Sequence, residues 1–167
     1  MQKTLIGLLL LASGLASATD VTLSIEGNIY DTTCQVDSNS QNMVVDLGQA
    51  VSGDFKSVGD TGVWKNFDIT LSHCPASLML ATITVDGQPD AVHPTKFAST
   101  GTATGVALEL ADRTDFITLA PQSSFNARIN STTHTADFPL SARYYATKTP
   151  VTAGTFSSVV QATFTYQ

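Results

Sequence analysis

The 167-residue sequence carries 8 Lys and Arg against 14 Asp and Glu, for a formal charge of −6. That length suits one domain with room for a real core. The acidic balance offers no basic footprint for phosphate, which argues against nucleic acid as a partner and disfavours an anionic membrane surface.

Residues 1–18 read as a secretory signal peptide. Lys3 supplies the charged start, Leu5 to Ala12 the apolar stretch, and Ala16-Ser17-Ala18 the small-residue cleavage site. The apolar stretch is too short to span about 30 Å of hydrocarbon, and no second one follows, so no membrane span is expected. Removal of this leader would leave 7 basic against 14 acidic residues.

The exported chain opens on a strand pattern. Val21, Leu23, Ile25, Gly27 and Ile29 fall on one face, and Asp20, Thr22, Ser24, Glu26 and Asn28 on the other. Export places the chain where Cys34 and Cys74 can form a disulfide; two free or metal-bound thiols are the alternative. Met43 to Gly48 reads as a short strand. Gln49 to Gly62 is polar and Gly-bearing, a loop with room for one irregular turn. Phe67, Ile69 and Leu71 share a face leading into His73-Cys74-Pro75. Leu78 to Val85 is a further strand, with Met79, Ala81, Ile83 and Val85 opposite Leu80, Thr82 and Thr84.

Asp86-Gly87-Gln88-Pro89 is a turn signal, and Thr100 to Gly105 a Gly/Thr/Ala loop. Val106, Leu108 and Leu110 alternate, and Asp112 to Asp115 reads as a solvated hairpin turn. Ser124 to Ile129 and Phe138 to Ala146 are strands, and Thr147 to Gly154, with Pro150, breaks the chain. Gly154 to Gln167 reads as one long final strand. Phe156, Val160, Ala162, Phe164 and Tyr166 share a face interrupted by Ser158, and Val159 is the single apolar residue on the polar face. No amphipathic helix of three turns is found. Seven to nine short strands with frequent turns predict an immunoglobulin-like β-sandwich. The strands at the two ends can pair within one molecule or between neighbours by strand addition, and the pattern leaves both open.

No catalytic constellation emerges. His73, His93 and His134 lack metal spacing, and there is no nucleophile elbow, phosphate loop or dinucleotide fingerprint. Asp112 and Asp115 are explained by turn chemistry more simply than by an acid–base pair. Asn130-Ser131-Thr132 matches a glycosylation triplet that arises often by chance. The chain is therefore expected not to be an enzyme and to need no cofactor or metal.

Four stretches in order resemble the chaperone–usher fimbrial pilin family. They are Asp20 to Gly27 followed by Cys34, Val45-Asp46-Leu47-Gly48, Phe67 to Pro75, and Pro150 through Gln167 with its Gly154 and penultimate Tyr166. The short distance to Cys34 is most like a minor tip-adaptor subunit of type 1 fimbriae. The resemblance implies an all-β, incomplete immunoglobulin-like sandwich lacking its final strand, completed by a donor strand from a chaperone or a neighbouring subunit. It implies a signal peptide at 1–18, a donor extension at 19–31 and a pilin domain at 32–167. Val21, Leu23, Ile25, Gly27 and Ile29 would be the donated side chains. Gly154, Phe156, Val160, Phe164, Tyr166 and Gln167 would form the acceptor groove and chaperone contact. The expected partners are a periplasmic chaperone, an outer-membrane usher and head-to-tail neighbouring subunits, with no nucleic acid and no small-molecule substrate. The expected destination, through the periplasm, is the cell-surface fimbrium. The alternative is an adhesin-like carbohydrate-binding module using Trp64, Tyr144 and Tyr145.

Overall fold

A computed structural model describes residues 33–167. Among these residues eight strands form two antiparallel sheets. The first has five strands, in the order β1 (Gln35–Val36), β2 (Lys65–Ser72), β7 (Ala136–Ala146), β4 (Val106–Asp112) and β5 (Thr118–Leu119). The second has three, in the order β6 (Ser123–Arg128), β3 (Leu80–Gly87) and β8 (Val160–Tyr166). The helical content among the described residues is one short 3-10 turn at Ser52–Asp54, inside the expected irregular loop.

The period-two patterns set which faces meet. From the five-stranded sheet, Leu71, Leu108, Leu110, Phe138, Leu140 and Ala142 point inward, and Ala81, Ile83 and Val85 meet them from β3. Phe138 is completely buried and joins the two layers. Its ring lies 5.5 Å from Phe125 of β6 and 5.5 Å from Phe164 of β8. Phe97, from the long β3–β4 connection, is equally buried and exchanges backbone hydrogen bonds of 3.0 and 2.8 Å with Leu108. Cys34 and Cys74 form a buried disulfide that ties the start of the described chain to the end of β2. Closing that loop stabilises the fold by roughly 4 kcal/mol on chain-entropy grounds.

Four expectations change in the structure. Met43 to Gly48 keeps its alternation, with Met43, Val45 and Leu47 half-buried and Val44 92% exposed, yet it is extended chain with no ladder partner among the described residues. Leu78 to Val85 is shifted two residues forward, because Gly87 still pairs with Val160. β4 is buried along both faces, its outer face being covered by charged side chains that pair with one another. The long final strand is broken: Thr155 and Ser157 bond to the 100–103 loop and not to the sheet, and β8 begins at Val160.

A half-open groove beside the last strand

β8 is the edge of its sheet, with β3 as its one neighbour among the described residues. The register pairs Ala81 with Tyr166, Ile83 with Phe164, Val85 with Ala162 and Gly87 with Val160. These pairs share the inward face, yet their fates differ. Ala81, Ile83 and Val85 are fully buried, whereas Val160, Phe164 and Tyr166 are only half-buried and Ala162 is exposed. The apolar layer is thus finished under β3 and unfinished under β8. Burial still raises the Tyr166 pKa above the ordinary tyrosine value, so the phenol stays neutral.

Phe156 packs edge-on against Tyr144 at 5.0 Å, and the Tyr144 hydroxyl donates to the Gly48 carbonyl at 2.8 Å. Burial first, and then the nearby Asp46 carboxylate, raise the Tyr144 pKa, which keeps that donor protonated. The contact links Phe156 to the extended Met43–Gly48 segment. The outer edge of β8 and this segment, neither paired among the described residues, thus both belong to the open side of the sandwich.

The approach to β8 is fixed by a glycine clasp that the sequence analysis did not foresee. A Cβ on Gly154 would lie 2.5 Å from the Ala103 nitrogen, and one on Gly101 would lie 2.1 Å from the Thr155 carbonyl oxygen. Only glycines let the two backbones come this close. Ala103 N donates to Thr155 O at 2.9 Å, and Thr100 N donates to Ser157 O at 2.7 Å. Gly154 packs against the 102–103 backbone. At the far end, the Gln167 main-chain oxygen accepts from Met79 N at 2.8 Å and Leu80 N at 2.9 Å. The expected donor residues Val21, Leu23, Ile25, Gly27 and Ile29 lie outside the described residues.

The candidate chemistry does not assemble. His134 Nδ1 sits 3.0 Å from the Cys74 carbonyl, His93 packs against Tyr145, and His73 stays beside Ser72. Asp112 is buried at the end of β4, and its carboxylate accepts from Thr114 N at 2.8 Å, shaping a turn whose Thr114 and Asp115 are exposed. Among the described residues no group of three or more His, Cys, Asp or Glu is placed to hold a metal. Trp64 and Tyr145 share the outer face of the five-stranded sheet, while Tyr144 points to the other face.

That outer face also holds a buried ion cluster. Glu109 accepts from Lys96 Nζ at 2.8 Å and from Arg143 Nε at 2.6 Å, and the Arg143 guanidinium stacks 4.0 Å over Trp64. Burial pushes the Glu109 carboxyl up, but the hydrogen bonds and charges of Lys96 and Arg143 outweigh it and hold it below the usual carboxylate value. A lone Glu in an apolar strand was the available signal for this cluster.

The family description "Fimbrial protein" matches residues 23–167. The chain belongs to that family. It is 34% identical to the S-fimbrial adhesin protein SfaS of Escherichia coli O6:K15:H31, over 95% of this chain and 96% of that one. It is 30% identical to the protein FimG of Escherichia coli strain K12, over 97% of this chain and 94% of that protein. Its fold is shared with the P pilus rod subunit PapA, at a TM-score of 0.68 and 19% identity over 80% of this chain and 99% of that one. The all-β, incomplete sandwich expected from the sequence is thus found, and this fimbrial protein is a structural subunit of a surface fibre built with neighbouring subunits.

Proposed function

We propose that this fimbrial subunit works by accepting one β-strand along β8 and donating its own residues 19–31 to a neighbour. The observation that carries the proposal is the contrast between fully buried Ile83 and only half-buried Phe164, paired across one ladder. An apolar edge left open is an aggregation hazard, and a donated strand supplies backbone hydrogen bonds and alternate apolar side chains together. Phe156, Val160, Phe164 and Tyr166 line the accepting side. Gly154 acts by holding the clasp. The inserted side chains are Val21, Leu23, Ile25 and Ile29, with Gly27 where no Cβ fits. Donor and acceptor lie at opposite ends of the chain, so the contact runs head to tail and propagates without closing.

Signal cleavage after residue 18 and passage through the periplasm complete the proposal. A periplasmic chaperone covers the groove, and an outer-membrane usher receives the complex. Basic chaperone residues engage the Gln167 carboxylate, beside the oxygen already taken by Met79 and Leu80. The place in the fibre is that of an adaptor, in keeping with the short distance to Cys34, and the subunit performs no catalysis.

The test is thermal unfolding of a chain beginning at Asn28, with and without a peptide spanning Asp20 to Ile29. The expected result is a large rise in Tm with the peptide and none with its Ile25→Asp version. A stable chain indifferent to this peptide and to donor peptides from other fimbrial subunits would show a closed sandwich and end the proposal.

One observation favours a second reading. SfaS is named an adhesin and has nearly the same length as this chain. Trp64 and Tyr145 on the outer face would supply the aromatic surface. Glycan-array binding that is lost in Trp64→Ala would establish this second role, and a blank array would remove it.

A further inference from the structure

The exported chain carries a strand of its own within reach of the groove. The described residues begin at Thr33, and the next residue, Cys34, is anchored covalently, its Cα 4.1 Å from that of Cys74. Beyond Cys74, a turn closed by Leu78 N on Pro75 O leads to Met79 and Leu80, whose nitrogens both donate to the Gln167 main-chain oxygen. The extension therefore leaves the domain at the Tyr166 end of β8. It also leaves on the same side. β6 lies over Thr114 and Pro139 around a shallow recess, toward the β5 margin of the larger sheet. That puts β8 over the opposite margin, at β1, where Cys34 emerges.

Length and pattern agree with this placement. Residues 19–32 reach about 45 Å when extended. β8 has 7 residues, a length of about 23 Å. The stretch from Val21 to Ile29 can therefore cover all of β8 while residues 30–32 turn the chain back. Val21, Leu23, Ile25 and Ile29 alternate with polar residues, so the face suited to a neighbour's groove suits this one as well. The tether also fixes direction. It holds Ile29 at the Tyr166 end and sends Val21 to the Val160 end, so the strand runs parallel to β8. A strand from another molecule has no such tether and can enter antiparallel, the slightly more stable pairing.

We propose that a subunit carrying neither chaperone nor neighbour closes its own groove with Val21 to Ile29, laid parallel to β8. The proposal rests on the strand-acceptor reading of the groove. A short tether gives the extension a local concentration in the mM range, on the order that makes it outcompete dilute strands. Closure in cis covers the apolar edge that would otherwise invite aggregation. It withholds donor and acceptor together, and it yields to a strand free to pair antiparallel. One contact thus delays both ends of polymerisation.

The test uses the full exported chain from Thr19, unaltered and as Ile25→Asp. Two double-cysteine forms accompany it, Thr22→Cys with Gln161→Cys and Asn28→Cys with Gln161→Cys, all at positions on polar faces. The unaltered chain should sediment as a monomer, with a Tm independent of protein concentration that falls by about 10 °C in Ile25→Asp. A labelled Asp20 to Ile29 peptide should bind Ile25→Asp at least about tenfold more tightly than the unaltered chain, whose groove is occupied. A short bismaleimide should bridge residues 22 and 161 within one chain. It should leave 28 and 161 unbridged, because a parallel strand holds them about 20 Å apart. Absence of the 22–161 bridge, equal peptide affinities or a Tm that rises with protein concentration overturns closure in cis and leaves the groove standing. If no donor peptide, from this or other fimbrial subunits, stabilises any form, both readings fall.

Discussion

The two sheets complete themselves in opposite ways. On the outer face of the five-stranded sheet, polar residues find partners across strands: Ser141 with Asn66, Asp137 with Thr70, Asp68 with Arg113, and Glu109 with both Lys96 and Arg143. That face is satisfied within the molecule. Along β8 of the smaller sheet, the unsatisfied groups are apolar side chains and a backbone edge, which only another chain segment can cover. The difference teaches that a fold's open site need not be a cavity or a charge cluster. It can be a layer that stops one strand short.

The contrast can be broken or sharpened by substitution. Phe138 serves both sheets, so Phe138→Ala should cost the most, about 4 kcal/mol in denaturant unfolding, with or without donor peptide. Next is Glu109→Gln, which strands two cations on a buried face and should cost about 3 kcal/mol. Its pH dependence has a definite sign. The folded pKa of Glu109 is lowered, so its contribution is complete above the unfolded glutamate value of about 4.3 and is lost as pH falls through the folded value. An acid titration of stability should therefore flatten in Glu109→Gln.

Phe164→Ala should cost about 2 kcal/mol in the chain alone, because the ring is only half-buried. With the donor peptide present that cost should grow, since the peptide completes the burial. An equal cost in both states, read from paired melting curves, would place Phe164 outside the groove. Smallest is Asp68→Ala. It removes a surface pair with Arg113 and should change stability by under about 1 kcal/mol, less still at high salt.

Much of this architecture was legible from period-two patterns. Ala81, Ile83 and Val85, or Val106, Leu108 and Leu110, read as sharing a face because alternation records which face is buried. Alternation does not record pairing. Met43, Val45 and Leu47 carry the pattern without a ladder, and Thr155 to Ser157 carry it while bonded to a loop. The clasp was hidden because Gly101 and Gly154 resemble ordinary loop glycines until the backbones meet. The unfinished edge itself was reached through family resemblance, since a closed and an open sandwich share one set of inward residues.

The disulfide has a mechanical meaning for a subunit strung in a fibre. A pull entering at the start of the domain reaches Cys34 and crosses the covalent bond directly to Cys74. It then passes within a few residues to Met79 and Leu80, which hold the Gln167 oxygen beside the groove. Residues 35–73 lie inside the closed loop and are shielded from the load. They represent about 130 Å of slack at the extended-chain spacing. The bond thus acts as a tether that keeps this slack from paying out and delivers tension to the joint between subunits.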